Sequence, residues 1–172
     1  MKKYIVLLRG INVSGKNKIP MIDLRILLSD LDFKNVQTYI QTGNIILESS
    51  LEKELTICKI KNGIKDKFGL NISVLVKTVK ELEIIFNNYP FPKENEKILA
   101  FTFLDKVPQF FSIDINTIDK DKYSIVEDVV YLYCPMSFSK TKLTNNTIEK
   151  KLKVTATTRN FKTTRKLLEL AI

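Results

Sequence analysis

The sequence predicts an α+β protein in two subdomains, with antiparallel or mixed sheets and helices packed on them. Three observations carry this. Short apolar runs alternate with segments of helical period. Two pairs of runs lie close enough in sequence to form hairpins, a connection that only antiparallel strands accept. The one Pro-rich break, "NNYPFPKENEK" at 87–97, falls near mid-chain. It sets a first subdomain at 1–88, a linker at 88–96 and a second subdomain at 97–172.

In the first subdomain, "KKYIVLLR" is an apolar run ending at Arg9 and reads as a buried strand. Pro20 fits the first helical position, and Met21, Leu24, Leu27, Leu28 and Leu31 recur at helical spacing. "NVQTYIQ" and "NIILES" are strands, and Thr42-Gly43 between them points to a two-residue hairpin turn. Ile57, Ile60, Ile64 and Phe68 mark one face of a helix over 51–68, which Gly69 stops. "NISVLVKT" is a further strand, with a short helix over 79–86 after it. The order β-α-β-β-α-β is the ferredoxin-like one, the α/β plait.

The second subdomain reads as a worn, diverged repeat of the same plan. "ILAFTFL" is a strand, Pro108 opens a weak helix, and "KYSIV" and "VVYLYC" form a hairpin about Glu127-Asp128. Asn146 with Glu149 resembles a capping box for a short helix ending at Leu152. "VTATT" is a last strand. Asn160 then caps a final helix whose Phe161, Thr164, Leu168 and Ala171 share a face. The repeat exposes one difference. Lys106 and Val107 alone part Asp105 from Pro108, whereas ten residues part Arg9 from Pro20. A long connection where a short one would do is often functional.

Composition narrows the chemistry. The chain is 172 residues long, 44% hydrophobic and 27% charged, as in a globular protein. It has no stretch near the ~20 apolar residues of a membrane span, and "MKKYIVLLRG" reads as a strand rather than a signal peptide, so the expected location is the cytoplasm. There is no His, which removes Ser-His-Asp triads, Cys-His dyads and His-based metal sites together. Cys58 and Cys134 lie far apart and form no C-x-x-C, so they read as ordinary buried thiols. Neither a metal nor a cofactor is called for. The net charge is +9 and uneven: 139–172 carries nine basic and two acidic residues, and 9–18 carries Arg9, Lys16 and Lys18 with no acid. If the two segments meet, they form one positive surface for phosphate-bearing partners; the alternative is solvated Lys on helix faces.

The stretch "RGINVSGKNKIP" spells G-x-x-x-x-G-K-N from Gly10, close to a phosphate-binding P-loop. "ILAFTFLD", ending at Asp105, even resembles a Walker-B strand. Three points oppose this reading. Asn17 has no hydroxyl to ligate Mg²⁺. Pro20 starts the helix too late to hold Lys16 in its first turn. The hairpins imply a sheet that is not built from parallel βαβ units. What remains is a generic anion loop. Gly10 and Gly15 free the backbone, Asn12, Ser14 and Asn17 add polar groups, and Arg9, Lys16 and Lys18 add charge. The alternative is that Asn and Gly serve turn geometry alone. In "TTRNFKTTRKLLEL", Arg159 precedes a helix opened by Asn160, a second place for an oxyanion. Gln41 and Asn44 flank Gly43 and are further contributors within reach of a ligand, though the turn by itself explains this pattern.

"LLRGINVSGKNKIPM", "TYIQTGNIILES" and "TATTRNFKTTRKLLEL" together resemble the signatures of the bacterial family known as domain of unknown function 1697. Ser14 departs from the second glycine more usual there, Thr42 from a Ser, and Phe161 from a Trp. The resemblance implies an α+β fold of two ferredoxin-like parts. It supplies no accepted activity and no catalytic residues, and it speaks against an NTPase.

The expected function is therefore binding of a phosphate-containing small molecule at a cationic site. That site combines Arg9, Asn12, Lys16 and Asn17 with Arg159 and Asn160. If the protein is an enzyme, these residues offer electrostatic stabilisation of an oxyanion. One alternative is a nucleic-acid-binding module, although "GNIILESS" lacks the aromatics that stack bases on an RNA-binding sheet. Another is a scaffold with no ligand site. Oligomeric state is not legible.

Overall fold

The computed structural model describes residues 1–115 and 120–172. It is an α+β arrangement of two four-stranded antiparallel sheets with helices. The chain divides into two compact units, Met1–Ile84 with Leu167–Ile172, and Ile85–Lys166. No helix among the described residues is long and apolar enough to cross a membrane.

The first unit runs β1 (Lys2–Leu8), α1 (Met21–Asp30), β2 (Lys34–Tyr39), β3 (Asn44–Ser49), α2 (Lys53–Phe68) and β4 (Val74–Thr78), and α3 (Val79–Asn87) starts in it. Its sheet order is β2-β3-β1-β4. The central strand β1 is buried from Tyr4 to Leu8, which is why its apolar run does not alternate. Tyr4, Val6 and Leu8 pack with Ile45, Leu47, Val74 and Val76 beneath Leu24 and Leu28 of α1 and Ile60 and Ile64 of α2. Gly69 ends α2 in the left-handed conformation at φ 69°.

Two local expectations are corrected. Pro20 is the residue that caps α1, with extended ψ 135°, and so lies one position outside the helix. The β2–β3 turn has four residues, 40–43, between the paired Tyr39 and Asn44. Ile40 and Gly43 both take positive φ there, and the Asn44 amide donates to the Tyr39 carbonyl and to Thr42 Oγ1, holding the wider turn.

The second unit contains β5 (Leu99–Leu104), β6 (Lys122–Val126), β7 (Val129–Tyr133), α4 (Asn145–Leu152), β8 (Ala156–Asn160) and the start of α5 (Phe161–Ala171). Its order, β6-β7-β5-β8, repeats that of the first sheet position for position. The β6–β7 hairpin has its two-residue turn, with Val126 opposite Val129 and Glu127 at φ 52°. The helix expected from Pro108 is absent over 108–115, and 116–119 lie outside the described residues. Here the Ile113 N–H donates to the Tyr123 hydroxyl, which donates back to the Ile113 carbonyl, so a side chain satisfies this backbone and no helical turn does.

The capping box expected at Asn146 and Glu149 is not the one formed. Thr144 caps α4, its Oγ1 accepting from the Thr147 N–H, while Glu149 accepts from the Ala156 N–H and fastens the helix to β8. The capping box is at Thr78 and Glu81, opening α3. Thr78 Oγ1 accepts from the Glu81 N–H, and Glu81 Oε2 accepts from the Thr78 N–H. Burial pushes the Glu81 carboxyl up, but hydrogen bonds from Lys53 and from Thr78, with the Lys53 charge, outweigh it and hold the group below its ordinary value. A carboxyl more acidic in the folded than in the unfolded chain stabilises at pH values above the unfolded pKa, and that contribution fades as the pH falls through the folded one. Urea midpoints between pH 6 and pH 3 should therefore drop less in Glu81→Gln than in the wild type.

Candidate functional site

The loop after β1 is built from two buried anchors. Ile11 and Ile19 are 0% and 1% exposed and belong to the core of the first unit, so 12–18 is pushed out between them as a polar ear. Within the ear, Val13 and Lys16 form an antiparallel bridge, closed by the Lys16 N–H donating to the Val13 carbonyl. Ser14 at φ 50° and Gly15 at φ 73° are the two left-handed residues of a tight hairpin turn. The Asn12 N–H donates to the Asn17 carbonyl, and Asn17 Nδ2 to the Gly10 carbonyl at 3.0 Å. The G-x-x-x-x-G-K spelling thus folds as a miniature hairpin, and both sheets are antiparallel, so neither the local nor the global geometry is that of a P-loop. Asp105, the end of the Walker-B-like run, spends Oδ1 on the Thr155 N–H at 2.8 Å.

Asn12 straps the loop down. Its Nδ2 donates to the carbonyls of Ile19 (2.9 Å) and Gln41 (2.8 Å), and its Oδ1 accepts from the Ile19 N–H (2.8 Å). It therefore joins the loop to the β2–β3 turn. Asn44 is 0% exposed and shapes that turn from within, while Gln41 is exposed. Arg9 is half-buried at the end of β1, its N–H donating to the Ser73 carbonyl. Lys16 and Lys18 are exposed, and neither forms an ion pair among the described residues.

An open cleft of about 570 Å³ lies against this loop. Among the described residues its lining is Asn12, Gly15, Lys18, Ile19, Pro20, Met21, Ile22 and Gln41, with one cation and no carboxylate. Lys18 counted toward the charge of the loop in the sequence, but nothing there singled it out over Lys16. The "SG" dipeptide did carry the turn signal.

Arg159 and Asn160 belong to the second unit. Arg159 stands on β8, opposite Phe101 of β5, and is only 7% exposed. Its guanidinium donates to Thr157 Oγ1 (2.7 Å) and to the Thr158 carbonyl (2.9 Å), and burial pulls its pKa down to about 10, which leaves it charged at neutral pH. Asn160 caps α5 as expected, accepting from the Thr163 N–H at 2.7 Å. It also lines a second cleft of about 550 Å³, where Glu94 and Glu96 offset Lys97 and Lys162. That mixed lining gives no preference for an anion. Cys58 is exposed, which corrects the expectation of two buried thiols; Cys134 is buried, and burial pushes its thiol up to about 11, away from nucleophilic use.

The fold is shared with a solved structure, a conserved bacterial protein, SP0830, from Streptococcus pneumoniae. The two are 23% identical, with 99% of each chain covered and a TM-score of 0.74. None of the curated proteins matches the chain. The family model described as protein of unknown function, DUF1697, matches residues 1–131, which include the first-loop and first-hairpin signatures, and the chain belongs to that family.

Proposed function

We propose that this protein binds a phosphate-containing small molecule in the cleft between the first loop and the start of α1. The observation that supports this reading is the lining itself: among the described residues, Lys18 without a carboxylate, in a cleft whose volume suits a small molecule. Two features add to it. Pro20 caps α1 with no side-chain hydrogen bond of its own, at a helix end whose first-turn N–H groups have no helical partner, although Asp23 sets a carboxylate in the same turn. Lys16 and Lys18 are exposed and form no ion pair among the described residues. Asn12 and Asn17 then serve as the frame that positions the cations, and Gln41 contributes a polar side chain to the opposite rim.

A thermal-shift screen of nucleotides, phosphosugars and oligonucleotides at two salt concentrations tests this. At ten times its dissociation constant, a bound compound stabilises by about 1.4 kcal/mol, a rise of roughly 3–6 °C in Tm. Lys18→Ala should weaken binding about tenfold, and Lys16→Ala by less. Arg159→Ala is run in parallel, and an unchanged response removes that residue from the site. A response confined to oligonucleotides and lost steeply with salt would replace this reading with the nucleic-acid one.

A further inference from the structure

The cleft is far larger than a phosphate group, and most of its wall is apolar. An apolar cavity of about 150 Å³ already admits benzene, whereas this cleft holds about 570 Å³. Ile19 is buried at its base. Pro20 is exposed, Met21 is partly buried against the core, and Ile22 is 64% exposed on the first turn of α1. The polar groups, Lys18, Gln41 and the loop backbone, therefore share the cleft with a continuous run of apolar residues, 19–22.

Resting on the phosphate reading above, we infer that the bound compound is a phosphate monoester carrying an apolar, ring-sized group. The phosphate lies at the Lys18 end, and the apolar group lies against Pro20, Met21 and Ile22. Charge complementarity selects the first half and the exposed side chain of Ile22 the second. A free inorganic anion would leave the apolar wall in water, while an uncharged apolar compound would leave Lys18 unused.

The test compares inorganic phosphate with phenyl phosphate by titration calorimetry on the whole chain. Phenyl phosphate should bind about tenfold more tightly, the gain expected from roughly half-burying one ring. Ile22→Ser removes an exposed side chain, so its Tm should match the wild type. It should erase the phenyl advantage and leave inorganic phosphate unchanged. Lys18→Ala should weaken both. Equal binding of the two compounds, with both sensitive to Lys18→Ala, overturns this inference and leaves the phosphate reading intact. Binding of neither overturns both. A dimer that forms with rising concentration and is abolished by Ile22→Ser, seen by sedimentation, also overturns the inference, because a second copy would then cover the apolar wall.

Discussion

Gly43→Ala should destabilise the protein by about 2–5 kcal/mol, the sum of a left-handed alanine and an overpacked contact. Gly43 sits at φ 78°, where a side chain is strained whatever room it has. There is no room either. A Cβ at this position would lie 2.6 Å from Leu8 Cβ and 3.0 Å from Ile11 Cδ1. Leu8 cannot retreat, because it is fully buried in the core and its N–H donates to the Gly43 carbonyl at 2.8 Å. The clash falls where β1 hands over to the first loop, so the variant should disturb the candidate site as well as the fold. Urea unfolding measures the first effect. A midpoint within error of the wild type would show that the β2–β3 turn does not press on β1 as described.

Asn12→Ala should cost about 2–4 kcal/mol, because three hydrogen bonds from one side chain are lost together and an alanine inherits φ 53°. The cost is large because Ile19 is buried, and both its N–H and its carbonyl lose a partner that water reaches poorly. Asn12→Asp separates the terms. It keeps the acceptor for the Ile19 N–H but sets a carboxylate oxygen against the Ile19 and Gln41 carbonyls, so at neutral pH it should cost at least as much as alanine. If the loop is only a solvated turn, both variants will unfold like the wild type. Hydrogen exchange at the Ile19 amide gives a local readout, with protection expected to fall in Asn12→Ala.

Much of this architecture could be read from residue patterns. Strands β1, β3, β5 and β7 announce themselves as apolar runs, and α2 carries both its buried face and its Gly69 stop. These features are local, so a single sequence contains them. The errors occur where a distant partner decides. The segment after Pro108 forms no helix over 108–115, and the backbone of Ile113 there bonds to Tyr123, ten residues beyond it. Glu149 looked like a capping acid, but β8 lies within reach and claims it. The site divides along the same line. Glycines, asparagines and cations marked the first loop as unusual. That Asn12 reaches across to Gln41, so that it is a strap rather than a free ligand-facing amide, depends on a contact 29 residues away. The place of Lys18 in the cleft depends on Ile19 being buried beside it.

Amide chemical-shift mapping with phenyl phosphate tests the central claim most directly. Saturable shifts should concentrate at Gly15, Lys18, Met21, Ile22 and Gln41, which line the cleft, and should need about tenfold more ligand to saturate in Lys18→Ala. Shifts confined to the basic stretch 139–166, or spread evenly over exposed lysines without saturation, would contradict it.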